Sequence, residues 1–273
     1  MEPTLSPAAG RREPMFNIPT AVVACIGVFL AVHGARSFLP AEADFRLLVQ
    51  FAFIPGRWTV AWDPSRLAEA LRQAALQGPA AEAAARAALA RFILGQPAPG
   101  LWSVLTYALL HGSWAHVLLN SFWLAAFGTP VARRCGSVRF VLLGLAAAAG
   151  GALAHWIAHP LDVMPMIGAS AAVSGMMAAA ARFMFAPASR ERDLPRDFDG
   201  MHLAPRQSLL EILGNRRAAL FLGLWFATNL LFGVVAAPLG VLDAGIAWEA
   251  HIGGFLVGLL LFPLLDPKRP AAS

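Results

Sequence analysis

The sequence is poor in charged residues and in cysteine. Only 14% of its 273 residues are charged, whereas soluble globular domains have about 25%. Its two cysteines form no CxxC pair, which argues against a disulfide framework and a cysteine-based zinc site. Internal repeats, coiled-coil heptads and phosphate-binding glycine loops are also missing from the sequence. These absences exclude an ordinary soluble domain and a disulfide-stabilised scaffold.

Apolar residues, in contrast, are abundant and gathered into runs. They make up 58% of the chain, and the mean hydropathy is +0.61. A helix needs about 20 apolar residues to cross about 30 Å of hydrocarbon. The sequence therefore predicts an all-α polytopic membrane protein with one six-span domain over residues 17–266. The six runs are 17–39, 113–130, 138–158, 166–186, 218–237 and 246–265.

The basic residues follow a topological pattern. A pI near 10.5 would indicate nucleic-acid binding in a soluble protein. Here, however, Lys and Arg are frequent in the connections after the second, fourth and sixth runs and absent from those after the third and fifth. By the positive-inside rule, this asymmetry places both termini in the cytoplasm, and no nucleic-acid partner is expected.

Polar segments flank and interrupt the predicted spans. Residues 1–16 and 267–273 indicate cytoplasmic tails, the first of them disordered, and residues 187–215 a cytoplasmic loop with a surface helix. Residues 40–112 form an external loop, in which Asp63-Pro64 marks the start of an amphipathic helix and a second helix follows at about 80–94. The first of these helices is amphipathic and suited to the outer membrane surface, whereas the second can be a mere spacer. The first run exceeds the 7–15 residues of a signal-peptide core, so we expect it to remain as a span.

Few polar side chains lie within the predicted spans, and each is a functional-site hypothesis because inserting a polar group is costly. Spans two, four and six start from the same outer face, and His116, Ser170 and His251 lie within about two turns of that end. The topology thus predicts one site at one depth. The candidates selected from these spans are His116, Asn120, Ser170, Ser174, Asn229, Glu249 and His251.

These residue types favour nucleophilic attack on a carbonyl group. A serine attacks an amide well only when a base removes its proton and donors bind the oxyanion. Ser170 and His251 fit the nucleophile and the base. His116 and Asn120 are four residues apart on one helical face, and both can donate hydrogen bonds. Gly168 allows close backbone approach at a helix start, where free N–H groups favour an anion.

Each of these residues also has a structural interpretation. Ser170 can bond to its own helix backbone, His116 can be an interfacial residue, and Asn120 can join two helices. Asn229 is interpreted as a packing hydrogen bond, and Glu249 as an interfacial residue that points away from the base.

Small residues predict close contact between spans four and six, which would bring Ser170 and His251 together. They are Gly168, Ala171 and Gly175 in span four, and Gly253, Gly254 and Gly258 in span six.

Three segments resemble the rhomboid family of intramembrane serine proteases, of bacterial type. Residues 168–175 (GASAAVSG) are similar to its GxSxxxxG nucleophile segment, residues 250–258 (AHIGGFLVG) to its AHxxGxxxG helix, and residues 111–120 (HGSWAHVLLN) to its HxxxxHxxxN segment. The resemblance extends roughly over residues 100–265, with the three segments in the family's order.

The resemblance implies a six-helix bundle in which Ser170 is the nucleophile, His251 the general base, and His116 and Asn120 the oxyanion donors. It implies cleavage of transmembrane protein substrates near the outer face of a bacterial cytoplasmic (inner) membrane, without metal, cofactor or third acidic residue. His111 matches a further histidine, interpreted as structural and bonding within the first loop. The oligomeric state is left open.

The chain departs from the family pattern at three positions. Trp102-Ser103 stands where the family often has Trp-Arg, Ser174 where it often has Tyr, and Ala132 where it often has Glu. The first two departures bear on the rigidity of the first loop and on the orientation of the histidine base.

Two other functions stay open from the sequence. An inactive relative that binds transmembrane helices would be expected to lack Ser170 or His251, and both are present. A small transporter or haem carrier using His116 and His251 would need broken helices or histidines that clamp a macrocycle.

Overall fold

The computed structural model describes residues 18–186, 201–231 and 247–267. Within these ranges the chain is helical and has no strand, apart from one isolated antiparallel bridge between Phe53 and Met166. The predicted tail at 1–16, residues 187–200 of the predicted loop and residues 268–273 lie outside the described residues. The helices are α1 Thr20–Ser37, α2 Ala41–Phe51, α3 Pro55–Trp62, α4 Leu67–Leu76, α5 Ala83–Leu94, α6 Ser103–Thr106, α7 Trp114–Trp123, α8 Thr129–Cys135, α9 Ser137–Ala158, α10 Ser170–Met184, α11 Leu209–Gly214, α12 Arg216–Leu230 and α13 Trp248–Leu265.

The helical membrane fold predicted from the apolar runs is confirmed. Three of the described helices, α1, α9 and α13, are long and apolar enough to cross a membrane. The second predicted span corresponds to α7, which continues through a π-helical turn at Leu124–Gly128 into α8. The fourth and fifth correspond to α10 and α12, of which 15 residues each are described. The count of six spans stays a prediction.

The start of the fourth predicted span is corrected by the structure. The run was predicted as helical from residue 166, but α10 begins only at Ser170. Gly168 has a φ of +117°, which no right-handed helix accommodates. Met166 instead exchanges backbone hydrogen bonds with Phe53, at 2.8 and 3.2 Å. Apolar composition alone could not reveal this extended approach to the helix.

The predicted close contact between spans four and six is confirmed. A methyl group added to Gly254 would lie 2.1 Å from the carbonyl oxygen of Ala171, and one added to Gly258 would lie 2.1 Å from that of Gly175. On the other side of α13, a methyl group at Gly253 would lie 2.4 Å from a backbone oxygen of α9. Helices α9, α10 and α13 therefore pack with their backbones almost touching, as small residues allow.

At the end of the bundle away from Ser170, buried arginines tie the helices together. Arg134 of α8 forms an ion pair with Asp266 at 2.7 Å, with both side chains less than a tenth exposed. Arg182 of α10 donates to the backbone oxygens of Gln207 and Leu259, each at 2.9 Å. The surface helix predicted in the 187–215 loop is confirmed as α11, which starts at a capping box. Arg134 and Arg182 need these partners, because a buried charge without a partner is costly.

The segment between α1 and α7 packs as a small folded unit. The two helices predicted there are confirmed as α4 and α5, and the Asp63 side chain accepts the backbone N–H of Ser65 at 3.1 Å, as a helix cap does. Arg57 of α3 donates to the backbone oxygens of Val49 and Pro97. The segment therefore has its own buried contacts, and the spacer role of the second helix stays a prediction.

Candidate active site

Residues 166–169, which lead into α10, set the position of Ser170. Ser170 is the first residue of α10, and the backbone N–H of Gly168 donates to the carbonyl oxygen of Tyr107 at 3.0 Å. Tyr107 is itself buried, and its hydroxyl donates to the backbone of Ala148 at 2.8 Å. The folded segment between α1 and α7 thus holds the approach to Ser170 at two points, Phe53 and Tyr107.

His251 lies beside Ser170. It occupies the first turn of α13, and its Nε2 atom is 2.7 Å from the hydroxyl oxygen of Ser170. The close packing of α10 against α13 produces this contact between residues 81 positions apart in the chain. The two side chains thus have the separation that proton transfer between a nucleophile and a base requires.

The other nitrogen of His251 binds Asn229 of α12. Nδ1 lies 2.5 Å from the side-chain oxygen of Asn229, whose side-chain nitrogen donates to the backbone oxygen of Trp225 at 2.9 Å. Because a carbonyl oxygen only accepts, the Asn229 nitrogen faces Trp225 and its oxygen faces the imidazole. Nδ1 therefore carries the proton, and Nε2 presents its lone pair to Ser170.

Asn229 corrects the sequence interpretation. Its place in an apolar span favours a packing hydrogen bond, yet its side chain bonds the imidazole of His251, the proposed base. The signal in the sequence was its rarity as a polar residue in an apolar run. What could not be read from the sequence was the rotation of α12, which turns this side chain towards α13.

His116 and Asn120 both lie against Gly168. A methyl group added to Gly168 would lie 2.7 Å from Nε2 of His116 and 3.9 Å from the side-chain nitrogen of Asn120. Asn120 is buried and uses one N–H to bond the backbone oxygen of His116 at 3.1 Å. Two side-chain donors and the free N–H groups at the start of α10 therefore converge two residues before Ser170, where an oxyanion would be stabilised.

His111 and Ser174 lie near this site without joining it. The His111 ring is fully buried against Phe29 and His116, and its backbone oxygen accepts hydrogen bonds from His33 and Arg36. Bonding of this ring within the first loop stays a prediction: neither ring nitrogen has a partner at hydrogen-bond distance among the described residues. Burial lowers the pKa of His111 to about 4, although the backbone of Leu109 lies close enough to raise it. Ser174 donates to the backbone oxygen of Ser170 at 2.8 Å.

Glu249 points away from His251, as expected, but it is not merely interfacial. Its carboxylate lies 2.7 Å from Nε2 of His159 and 3.8 Å from Nδ1 of His155, both at the end of α9. This group of two histidines and a carboxylate could hold a metal ion. It is separate from the Ser170 and His251 pair, which has no group of metal ligands around it among the described residues.

Fold and site together define a helical integral membrane protein with a hydrogen-bonded serine and histidine. Residues 98–267, more than half of the chain, match the family described as Rhomboid domain. The chain belongs to the rhomboid family, which includes serine intramembrane proteases.

Two relatives from Bacillus subtilis (strain 168) are similar to the chain. "Rhomboid protease GluP" is 40% identical over 78 residues, which cover 29% of this chain and 15% of GluP. "Putative rhomboid protease YdcA" is 24% identical over 168 residues, 62% of this chain and 69% of that protein. The match to GluP thus spans a small part of that protein's length.

Proposed function

We propose that the chain is an intramembrane serine endopeptidase that cleaves transmembrane protein segments near the outer membrane face. The observation that carries this proposal is the 2.7 Å contact between Ser170 Oγ and His251 Nε2. Since Asn229 holds the proton on Nδ1, Nε2 is free to accept the serine proton. Family membership supports the same reaction class.

In the proposed reaction, Oγ of Ser170 attacks the substrate carbonyl carbon while its proton passes to Nε2 of His251. The carbonyl oxygen becomes an oxyanion, which His116, Asn120 and the N–H groups at the start of α10 stabilise. Collapse of this intermediate breaks the C–N bond, and His251 returns the proton to the leaving amine. Water, deprotonated by His251, then hydrolyses the acyl-enzyme and restores Ser170.

The position of the pair supports the proposed substrate class. Ser170 and His251 lie in the first turns of their helices, on the side of the bundle that carries residues 40–112. A peptide bond reaching this depth belongs to the end of a transmembrane segment rather than to its middle. With both termini in the cytoplasm of a bacterium, this side is the outer face of the cytoplasmic membrane.

The nucleophile can be tested without knowing the natural substrate. Purified protein in detergent is treated with a serine-reactive fluorophosphonate probe and, separately, with a model transmembrane substrate. We expect labelling and cleavage by the wild type and neither by Ser170→Ala. Ser121→Ala is the matched control, because that buried serine bonds only its own helix, at 2.7 Å to Val117, and should keep both activities.

The alternatives make opposite predictions in the same experiment. Labelling that persists in Ser170→Ala places the reactive serine elsewhere and contradicts the mechanism. A folded wild type that is neither labelled nor active, but retains transmembrane peptides, is an inactive relative. A visible haem absorbance that His251→Ala removes would indicate a haem carrier instead.

A further inference from the structure

A group of ligating side chains lies beside the active site, on the far side of the first turn of α13. His155 and His159 are four residues apart at the end of α9, and their rings are 5.2 Å apart. Glu249 of α13 contacts both histidines. In the sequence it precedes His251 by two residues. One ligand atom from each of the three side chains lies within 4.8 Å of the other two. The proposed proteolytic reaction uses none of them.

His155 is the member whose bonding is incomplete. The residue is 6% exposed, and its Nδ1 atom is buried without a hydrogen-bond partner. That nitrogen faces the Glu249 carboxylate at 3.8 Å, beyond hydrogen-bond distance. A buried unpaired ring nitrogen is costly, and one that faces a carboxylate beyond hydrogen-bond distance points to a ligand between the two groups.

The donor set matches a first-row divalent cation. Two histidines and a glutamate are a recurrent zinc ligand set, and the i, i+4 spacing places both rings on one face of a helix. Tetrahedral zinc, with ligands at about 2.0–2.2 Å, holds them about 3.3–3.6 Å from one another. The observed separations from Glu249 oxygens, 2.7 Å to His159 and 3.8 Å to His155, lie on either side of that range.

The surroundings suit binding from water. The His159 side chain is 45% exposed, so an ion can arrive from the aqueous phase and keep water as its fourth ligand. The other nitrogen of His155, Nε2, lies 4.0 Å from the Asp162 carboxylate. At that distance the carboxylate does not bond the ring, but it adds negative charge beside a site for a cation.

We propose that His155, His159 and Glu249 form a binding site for Zn²⁺ or a similar first-row transition-metal ion. The ion joins the end of α9 to the first turn of α13, the turn that also carries His251. The site is independent of the proposed proteolytic function, because it uses neither Ser170 nor His251.

The test is calorimetric titration of Zn²⁺ into purified, detergent-solubilised Ser170→Ala protein without a polyhistidine tag. This background removes the proposed nucleophile, so failure of the protease proposal leaves the result unaffected. We expect one ion per chain, weakened at least about tenfold by His159→Ala and by Glu249→Gln. His116→Ala is the matched control, because it removes a histidine of the neighbouring site and should leave Zn²⁺ binding unchanged.

Folding is checked by the thermal unfolding midpoint of each variant. His159 is the decisive position because its ring is partly exposed and its loss should not prevent folding. We also expect Zn²⁺ to raise the midpoint of the parent and not that of His159→Ala. Absence of binding, undiminished binding in His159→Ala, loss of binding in His116→Ala, or displacement by excess Mg²⁺ would each overturn the proposal.

Discussion

The side-chain oxygen of Asn229 lies 2.5 Å from Nδ1 of His251, on the opposite side of the ring from Ser170. In soluble serine proteases a buried carboxylate occupies the equivalent position and fixes the tautomer of the base. Here a neutral amide can do the same, since Trp225 fixes which of its ends faces the ring. A neutral partner is also less costly to bury within a bilayer than a charged one.

Replacement of Asn229 tests this orienting role. We expect Asn229→Ala to lower kcat by at least about tenfold, within the factor of 10²–10⁴ that a general base supplies, because Nδ1 loses its acceptor. Asn229→Asp keeps an acceptor oxygen and should retain more activity than the alanine variant. The measurement is the cleavage rate of a model substrate, alongside the unfolding midpoint. Equal activity of the two variants would show that Asn229 only packs.

Asn120 is expected to contribute through the oxyanion. Loss of one such donor raises the barrier by about 2.7–4 kcal/mol, or about 10²–10³ in kcat, so Asn120→Ala should keep measurable residual cleavage with little change in KM. Steady-state kinetics on a model substrate checks the split between kcat and KM. A wild-type kcat in this variant removes Asn120 from the site.

The contact between α10 and α13 predicts that a methyl group added there lowers the stability of the protein, whereas one added at an open position does not. Gly254→Ala would press a methyl group to 2.1 Å from the Ala171 backbone, whereas Gly27→Ala in α1 meets nothing within 4 Å. Overpacking of this kind costs about 1–3 kcal/mol. We therefore expect Gly254→Ala to lower the unfolding midpoint and the cleavage rate, and Gly27→Ala to change neither. Similar midpoints would mean that the helices can separate without cost.

Stability should fall in mild acid because of His111. Burial, together with His116, His33 and Arg36, lowers its pKa from 6.5 to about 4. The folded chain thus disfavours the protonated ring. The contribution of neutral His111 to the free energy of unfolding is present above about pH 6.5 and is lost as the pH falls towards 4. Unfolding midpoints measured across this window should drop less for His111→Phe than for the wild type. An identical drop would assign the pH dependence to other groups.

The sequence predicted the helical membrane class and the residues that meet at the site. The length of the apolar runs predicts α1, α9 and α13 as spans. Small residues predict the contact of α10 with α13. Both signals are local and depend on residue size and hydropathy alone. Together with the residue types and their common depth in the predicted topology, these signals are enough to pair Ser170 with His251.

The remaining features depend on long-range geometry. The extended stretch before Ser170 is apolar like a helix, and only its pairing with Phe53 prevents it from being one. Asn229 required the rotation of α12, and Glu249 required the position of the end of α9. Arg57 binds loop carbonyl oxygens although the position expected for an arginine holds Ser103. Such partners lie far apart in sequence, where residue spacing carries no information.

The stretch before Ser170 exchanges backbone hydrogen bonds with Phe53 and donates one to Tyr107, which has a consequence for biogenesis. Both partners belong to residues 40–112, on the same side of the bundle as Ser170. A newly made chain therefore cannot align Ser170 until that segment has folded against the bundle. A molecule in which that segment stayed unfolded would retain Ser170 and His251 and still lack the contacts that hold the stretch before Ser170 in place.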